Sequence, residues 1–316
     1  MEKKVSVIIP CYNSEKIISK LVELSINELE KTKYSYEFVL VNDFSMDMTF
    51  NEIKKLSLKY KFVKGINLAK NFGQQNAIIA GMKYADGDYV LSIDDDMQVH
   101  PKEINKILEK IDEGYDLVYG VYGKYINVKQ NFFRKIGSKF NNVILGTMIK
   151  QKKGTRTSSF WIAKKFIIDE VKKYPYLYTN LRGLFFRTTS NIGNVKVEHF
   201  PREFGKSNYT FGKLISLWGT CINFSIIPLR FSIYIGFISS SLGFLYGVYL
   251  IIRKIFNASY ILSGSLIMAE ILFFAGIILI CLGIIGEYIG RIFMSINLTP
   301  QYVVKEVLNI DSEKQE

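Results

Sequence analysis

Three adjacent carboxylates follow a short apolar run within residues 89–98 of this sequence. The apolar run predicts a buried strand, with Asp94, Asp95 and Asp96 at its end and Gln98 just beyond. Carboxylates at a strand end repel each other and lose solvation unless a cation lies among them. A hard divalent cation takes oxygen ligands and bridges to phosphates, so Asp94, Asp96 and Gln98 are candidate ligands for a divalent cation beside a diphosphate leaving group. The alternative is an acidic turn in which an aspartate caps the next helix.

Polar residues also follow three other predicted strands, at 5–10, 37–41 and 63–68. These residues are Pro10, Tyr12 and Asn13 after the first strand, Asp43 after the second, and Lys70 and Asn71 after the third. In a parallel α/β sheet, ligands bind at the carboxyl ends of the strands. Asp43 could therefore accept hydrogen bonds from a base or ribose, or it could cap a turn. Tyr12 could stack on a base, or it could pack against the protein.

The elements that would position these residues alternate between strand and helix. Helical periodicity covers 15–32, 49–60, 74–85 and 101–113, and a further strand is predicted at 116–120. This alternation is typical of parallel βαβ units, and therefore of an α/β fold. The basic segment 127–157 is predicted to be helical, either as part of a phosphate site or as a solvated face.

The apolar residues are concentrated in the C-terminal part of the chain. The 316 residues are 48% hydrophobic, yet the formal net charge is +12. Residues 231–252 contain no charged side chain, and 258–286 contain only Glu270. Each stretch is long enough for a hydrocarbon core of roughly 30 Å, so we expect two membrane spans rather than two buried core helices. The amphipathic segment 207–227 suits a helix lying in the membrane interface.

The flanking charges predict a cytoplasmic bulk domain. The N-terminus is too short before its first strand to be a signal peptide. Basic residues flank the apolar hairpin on both sides, and they outnumber Arg253 and Lys254 in the connecting turn. Cys11, Cys221 and Cys281 form no CxxC pair and are expected to be reduced. The positive charge suits anionic lipid head groups and phosphorylated substrates, and no recognisable nucleic-acid module is present.

Several motifs together carry a specific resemblance. In the N-terminal half they are Pro10–Asn13, Val41–Thr49, Leu68–Gly73 and Asp94–Gln98. In the C-terminal half they are Arg182–Leu184, His199–Tyr209, Pro228–Arg230 and Gly286–Arg291. The first set resembles the family-2 inverting glycosyltransferases, and the second is similar to the polyprenyl-phosphate glycosyltransferases within them. That group includes dolichol-phosphate mannose synthase and bacterial undecaprenyl-phosphate glucosyltransferases.

The resemblance implies a fold and a division of the chain. A cytoplasmic GT-A domain, α/β with a mostly parallel sheet, would occupy residues 1–205. An interfacial amphipathic helix would follow at 206–229, and two transmembrane helices, at about 231–252 and 262–286, would lie within 230–288. Residues 289–316 would form a cytoplasmic tail. The implied protein is a multi-pass membrane enzyme, and some relatives form homo-oligomers.

The resemblance also implies roles for residues at matching positions. The nucleotide-sugar residues would be Pro10, Tyr12, Asn13, Glu15, Asp43, Lys70 and Asp95. The lipid-phosphate residues would be Arg134, Ser138 and Arg202, and the catalytic residues would be Asp96, Arg134 and Arg202. Asp94, Asp96 and Gln98 would hold Mg²⁺ or Mn²⁺.

These roles predict a hexosyltransferase that moves a sugar from a nucleoside diphosphate to a polyprenyl phosphate with inversion. A lipid monophosphate is already an anionic nucleophile near neutral pH, so it needs no protein base. Two alternatives remain: a family-2 enzyme acting on a polysaccharide or other glycan, and a non-catalytic nucleotide-sugar binder. The chain has one hairpin and lacks the Gln-x-x-Arg-Trp segment of polysaccharide synthases, and its acidic cluster is intact.

Three positions depart from the family pattern. Asn42 precedes Asp43 where relatives often have a second acid. Tyr122 stands where an arginine is common, so one phosphate ligand is either missing or supplied by Lys124. Ser158 and Ser159 occupy a segment in which many relatives carry an acid. These departures bear on the sugar and the acceptor more than on the reaction type.

Overall fold

The computed structural model describes residues 3–122, 155–174, 181–200, 227–256, 264–296 and 300–310. The chain divides into two compact units. The first combines Met1–Tyr209 with Thr299–Glu316, and the second is Thr210–Leu298.

The first unit is an α/β domain. Its strands are β1 (Lys4–Cys11), β2 (Ser35–Asn42), β3 (Val63–Leu68), β4 (Tyr89–Ser92), β5 (Leu117–Tyr122), β6 (Trp161–Lys164), β7 (Ile192–Val197) and β8 (Val304–Leu308). Its helices are α1 (Ile18–Leu29), α2 (Thr49–Lys59), α3 (Gln74–Tyr84), α4 (Ile104–Asp112), α5 (Lys165–Lys172) and α6 (Leu181–Thr188), with a 3-10 turn at Pro101–Glu103 before α4.

The strands form one sheet in the order β7-β5-β6-β4-β1-β2-β3-β8. The central strands β4, β1, β2 and β3 pair in parallel, as do β5 and β7. Strand β6 runs antiparallel to both β4 and β5, and β8 runs antiparallel to β3. The predicted α/β fold with a mostly parallel sheet is therefore confirmed. Two strands are antiparallel to their neighbours: β6 within the sheet and β8 at its edge.

Both faces of the sheet are covered, which explains its nearly continuous apolar strands. Alternate residues of a strand point to opposite faces. In β1, Val7 and Ile9 join the core cluster under α1 and α4, whereas Ile8 joins the cluster under α3 and α5. In β2, Leu40 and Val41 divide between the same two clusters. This double packing holds the carboxyl ends of four parallel strands at one rim.

The sequence analysis did not predict strands β6, β7 and β8 or helices α5 and α6. It placed residues 289–316 in a tail, whereas Val304–Leu308 forms the edge strand of the sheet beside β3. The side chain of Asn309 continues this contact, since its Nδ2 donates to the carbonyl oxygens of Ser57 at 2.6 Å and Val63 at 2.9 Å. Residues 127–154 and 206–226 of the predicted helices at 127–157 and 206–229 lie outside the described residues, as do Arg134, Ser138 and Arg202. The described residues 155–157 are not helical, and 227–229 begin α7.

The second unit contains two long helices, α7 (Ile227–Phe256) and α8 (Gly264–Ile296). They overlap the two apolar stretches predicted to span a membrane, although both are longer than predicted. In the described part of the chain, one segment, Phe273–Gly290 in α8, is long and apolar enough to cross a bilayer by length and composition. Glu270 lies in α8, just before this segment.

Candidate active site

The carboxyl ends of β1, β2 and β3 are joined side by side. Cys11 pairs with Asn42, and Asn42 pairs with Asn67. The amide of Asp43 donates to the Cys11 carbonyl at 2.9 Å, and Asn42 Nδ2 donates to Asn67 Oδ1 at 2.8 Å. Asn42 is thus a cross-strand bridge at this position. Pro10, assigned to the nucleotide site, is buried within β1 opposite Val41.

The carboxylate of Asp43 holds the loop between β3 and α3. Its Oδ1 accepts the amide of Phe72 at 2.7 Å, and its Oδ2 accepts the amide of Gly73 at 2.9 Å. Burial raises the pKa of Asp43, although these two amides act in the opposite direction. Gly73 has a φ of +86°, which favours glycine at this turn. Lys70 lies in the same loop with its Nζ 5.0 Å from the centre of the Phe72 ring.

The loops after β1 and β2 are hydrogen-bonded to each other. Asn13 accepts the Met46 amide at 2.9 Å through Oδ1, and its own amide donates to Ser45 Oγ at 3.0 Å. Glu15 Oε2 accepts the Met48 amide at 3.0 Å. Two of the predicted nucleotide residues, Asn13 and Glu15, therefore also hold the loop after β2. Asn13 has a φ of +54°, a left-handed conformation that asparagine tolerates.

The acidic turn after β4 contacts the loop after β1. The Tyr12 amide donates to Asp95 Oδ2 at 2.9 Å. Burial raises the pKa of Asp95 to about 6, and the neighbouring Asp96 charge adds to this. The Tyr12 side chain is 50% exposed, so its ring remains accessible at the rim.

The turn itself is tight. Met97 has a φ of +56°, a conformation in which a bulky side chain is uncommon. The Gln98 amide donates to Asp96 Oδ1 at 3.1 Å across this turn. Left-handed residues other than glycine are strained and concentrate at functional sites. Here the strained residue separates two of the predicted metal ligands, Asp96 and Gln98.

Asp94 is held by side chains from two other elements. Gln74, the first residue of α3, donates from Nε2 to Asp94 Oδ1 at 2.6 Å. Ser159, just before β6, donates from Oγ to Asp94 Oδ2. The neighbouring Ser158 instead donates to the backbone oxygen of Phe160 at 2.8 Å. Of the two serines that replace the family acid, only Ser159 faces the acidic turn.

The donor set fits Mg²⁺ or Mn²⁺. The carboxylates of Asp94 and Asp96 and the amide oxygen of Gln98 are hard oxygen donors, and no sulfur or imidazole is among them. The described residues contain no group of three His, Cys, Asp or Glu side chains that could enclose a metal. A set of few carboxylates is usual for ions that also bind substrate phosphates.

Phe200, to which the sequence analysis gave no role, also contacts this turn. The Phe200 amide donates to the Gln98 carbonyl at 2.8 Å. The preceding residue, His199, stacks edge-on against Tyr122 with ring centres 4.1 Å apart. The position where relatives carry an arginine is thus occupied by an aromatic contact. The His199–Tyr209 motif begins at the acidic turn, and Arg202 follows two residues later, outside the described residues.

A parallel-centred α/β sheet with acidic and amide side chains along one rim is the architecture of the GT-A class of fold. The fold of this chain is similar to that of glucosyl-3-phosphoglycerate synthase from Mycobacterium tuberculosis, crystallised with Mn²⁺ and UDP. The TM-score is 0.50 at 18% identity, covering 68% of this chain and 76% of that one. Mannosyl-3-phosphoglycerate synthase from Rubrobacter xylanophilus gives a TM-score of 0.50 at 13% identity, covering 68% of this chain and 70% of that one. The GT-A fold is therefore confirmed.

The chain belongs to glycosyl transferase family 2, whose model matches residues 6–172. A second model, the GtrB C-terminal hairpin, matches residues 227–292. The chain is 34% identical to undecaprenyl-phosphate 4-deoxy-4-formamido-L-arabinose transferase from Proteus mirabilis, covering 97% of this chain and 94% of that protein. It is 33% identical to the uncharacterized glycosyltransferase YkcC from Bacillus subtilis, covering 98% and 95% respectively. The predicted enzyme class and the resemblance to polyprenyl-phosphate glycosyltransferases are confirmed.

Proposed function

We propose that this enzyme transfers a sugar from a nucleoside diphosphate to the phosphate of a polyprenyl lipid, with inversion and with a divalent metal. The observation that carries the proposal is the continuity of similarity to an undecaprenyl-phosphate sugar transferase over 97% of the chain. That similarity includes both the acidic turn and the apolar hairpin. The alternative, a polysaccharide or other glycan acceptor, lacks such an observation.

The site residues divide between the two ends of the reaction. Asp94, Asp96 and Gln98 would hold Mg²⁺ or Mn²⁺, which would neutralise the charge on the departing diphosphate. The loops bearing Tyr12 and Asp43 would hold the nucleoside. Their cross-linking hydrogen bonds, such as those from the Phe72 and Gly73 amides to Asp43, keep this surface in place before substrate arrives.

The attacking group would be the lipid phosphate itself. We assign Arg134, Ser138 and Arg202 to its binding, because cationic side chains form short, charge-assisted hydrogen bonds with phosphate oxygens. Their task would be to bring the anionic nucleophile to the anomeric carbon in line with the leaving diphosphate. A phosphate monoester loses its second proton near pH 6, so the nucleophile would be ionised at neutral pH without a protein base.

The connectivity of the chain supports a multi-pass membrane location. The polypeptide leaves the catalytic unit before α7 and returns to it at β8, which is hydrogen-bonded to β3. A segment that starts and ends in one domain crosses a membrane an even number of times. If α8 spans, a second segment must also span, and α7 with 30 residues is about 45 Å long. The flanking basic residues would place the catalytic unit in the cytoplasm.

The proposal is tested by product analysis. The purified chain is incubated with Mn²⁺, undecaprenyl or dolichyl phosphate, and a panel of UDP- and GDP-sugars, and the lipid product is identified by mass spectrometry. A polyprenyl-phosphate sugar with inverted anomeric configuration by NMR is the expected product. Transfer to a soluble glycan with no lipid product would overturn the proposal.

A further inference from the structure

Position 159 lies opposite the first acid of the turn because of strand pairing. In the antiparallel β4–β6 ladder, Ser92 pairs with Trp161 and Tyr89 with Lys164. Continuing the same register by two residues places Asp94 opposite Ser159. Their hydrogen bond is therefore a consequence of the sheet topology, since residues directly opposite each other on adjacent strands lie within contact distance.

The residue type at position 159 decides whether the Asp94 carboxylate is repelled by a second charge or receives a hydrogen bond. An acidic side chain here would place a second carboxylate against Asp94, and the two charges would repel. A serine instead donates a hydrogen bond to Asp94 Oδ2, while Gln74 donates to Oδ1. Both donors are neutral, so the net charge of the acidic turn is unchanged.

The two donors would also restrict the rotation of the carboxylate. Gln74 belongs to α3 and Ser159 precedes β6, so Asp94 is held from two separately packed elements. A carboxylate oxygen has more than one acceptor site, and one neutral donor on each oxygen leaves acceptor capacity for a cation. Side chains that hydrogen-bond a metal ligand in this way orient it and strengthen metal binding.

We propose that Ser159 and Gln74 are positioning residues that orient the Asp94 carboxylate for the divalent metal. The inference rests on the proposed function, because it assigns Asp94 to the metal site. It also gives the serine that replaces the family acid a role in this chain: it would support a metal ligand rather than serve as a base.

The test compares Ser159→Ala with Ser158→Ala in the full-length protein. Ser158 is adjacent, and its hydroxyl donates to the backbone oxygen of Phe160 rather than to Asp94, so its variant controls for local packing. Mn²⁺ binding is measured by electron paramagnetic resonance of the free ion, with Mn²⁺ alone and with added UDP or GDP. We expect Mn²⁺ affinity to fall roughly 10-fold in Ser159→Ala and to stay within about twofold of wild type in Ser158→Ala, by the same reasoning.

Two further variants separate orientation from folding. Ser159→Thr keeps the hydroxyl and should restore most of the Mn²⁺ affinity, whereas Gln74→Ala should lower it in the same direction as Ser159→Ala. Thermal unfolding midpoints identify any variant that fails to fold. Unchanged Mn²⁺ affinity in a folded Ser159→Ala would overturn the positioning role while leaving the proposed reaction intact. A wild-type protein that transfers sugar without binding Mn²⁺ would overturn the metal site itself, and this inference with it.

Discussion

At the residue scale, Asp96 is the acid whose loss should affect chemistry most directly. It lies on the tight turn at Met97 and accepts the Gln98 amide, so its carboxylate is held close to the other predicted ligands. Asp96→Ala should lower the sugar-transfer rate about 100-fold or more, because a ligand of the metal that neutralises the diphosphate is lost.

The measurement is lipid-product formation under saturating Mn²⁺, with Glu23→Ala as an acidic control far along the chain. Glu23 pairs with Lys59 at the surface, where ion pairs contribute little. Membrane insertion should be unchanged in both variants. Full activity of Asp96→Ala would remove Asp96 from the metal site.

Arg202 is predicted to act on the other substrate. Arg202→Ala should raise the KM for polyprenyl phosphate about 10-fold or more, because a charge-assisted hydrogen bond to phosphate is lost. Nucleotide-sugar affinity, measured by isothermal titration calorimetry, should change far less. Equal losses for both substrates would contradict an acceptor role. Lys173→Ala is a suitable control, since this exposed lysine pairs with Glu170 at the surface, where ion pairs contribute little.

Some residues of the site can be predicted from the sequence and others cannot. Asp94 to Gln98 stand together after an apolar strand, so their chemistry can be read from residue types and spacing. Ser159 and Gln74 cannot be found this way, because 65 and 20 residues separate them from Asp94. Only the antiparallel placement of β6 brings Ser159 to the acid. The contact between Phe200 and Gln98 was missed because the residues are far apart in sequence and meet only through the placement of β7 beside β5.

At the scale of elements, the amino ends of the central strands are joined by a buried carboxylate. Glu37 in β2 is 2% exposed. It pairs with Lys4 at 2.6 Å and Lys64 at 3.0 Å, and it accepts the Ser6 hydroxyl at 2.6 Å. Burial alone raises the pKa of Glu37, but hydrogen bonds from Lys4, Ser6 and the Asp86 amide outweigh it and hold the pKa below its ordinary value.

Removing this charge should destabilise the sheet far from the active site. Because the folded pKa is lowered, the stabilisation is present above the ordinary glutamate pKa of 4.5 and is lost as pH falls through the folded value. Glu37→Gln should therefore lower the free energy of unfolding by about 3 kcal/mol at pH 7, because two lysines lose a buried partner.

The difference in free energy of unfolding between wild type and Glu37→Gln should become smaller as the pH falls below the ordinary pKa of glutamate. Denaturant unfolding of the full-length protein in detergent measures it, with the exposed Glu23→Gln as control. An equal loss of stability at pH 7 and at low pH would show that packing, and not charge, dominates at Glu37.

The elements themselves were predictable where periodicity is strong. Strands β1 to β5 and helices α1 to α4 follow apolar runs and helical spacing, and all nine lie close to their predicted positions. Strand β6 has 4 residues, like β4, but no acidic cluster marks its end. Strand β7 reads Ile-Gly-Asn-Val-Lys-Val, so glycine and polar residues interrupt its apolar residues. Strand β8 reads Val-Lys-Glu-Val-Leu, a mixed sequence whose strand character depends on its pairing with a distant β3.

At the scale of the whole molecule, β8 returns the chain to the catalytic sheet after the two long helices. The contact is substantial: Val303 accepts the Ala69 amide at 2.8 Å, next to the loop of Lys70, and Lys54 pairs with Glu306 at 2.8 Å. Asn309 adopts a φ of +55° and donates to two carbonyl groups of the first unit. The sequence showed the apolar stretches but not this return.

Because the chain re-enters the sheet at β8, we can predict on which side of the membrane two positions lie. A chain that begins and ends in one cytoplasmic sheet must place the connection between α7 and α8 across the membrane if both helices span it. In a background with Cys221 and Cys281 replaced, Asn257→Cys and Lys305→Cys are introduced separately and exposed to a membrane-impermeant maleimide in intact cells. Asn257→Cys should be labelled, whereas Lys305→Cys, on β8, should be labelled only after the cells are permeabilised.

Permeabilised cells also supply the control, because Lys305 is exposed and its cysteine should then react readily. Labelling of neither position in intact cells would mean that the helices do not cross, which would contradict the multi-pass proposal. Labelling of both would place the catalytic sheet outside the cytoplasm. Labelling of Lys305→Cys alone would show the inverted topology, with the sheet outside and the connection between α7 and α8 in the cytoplasm, because pairing of β8 with β3 keeps Lys305 on the same side as the sheet. That result would contradict a cytoplasmic catalytic unit.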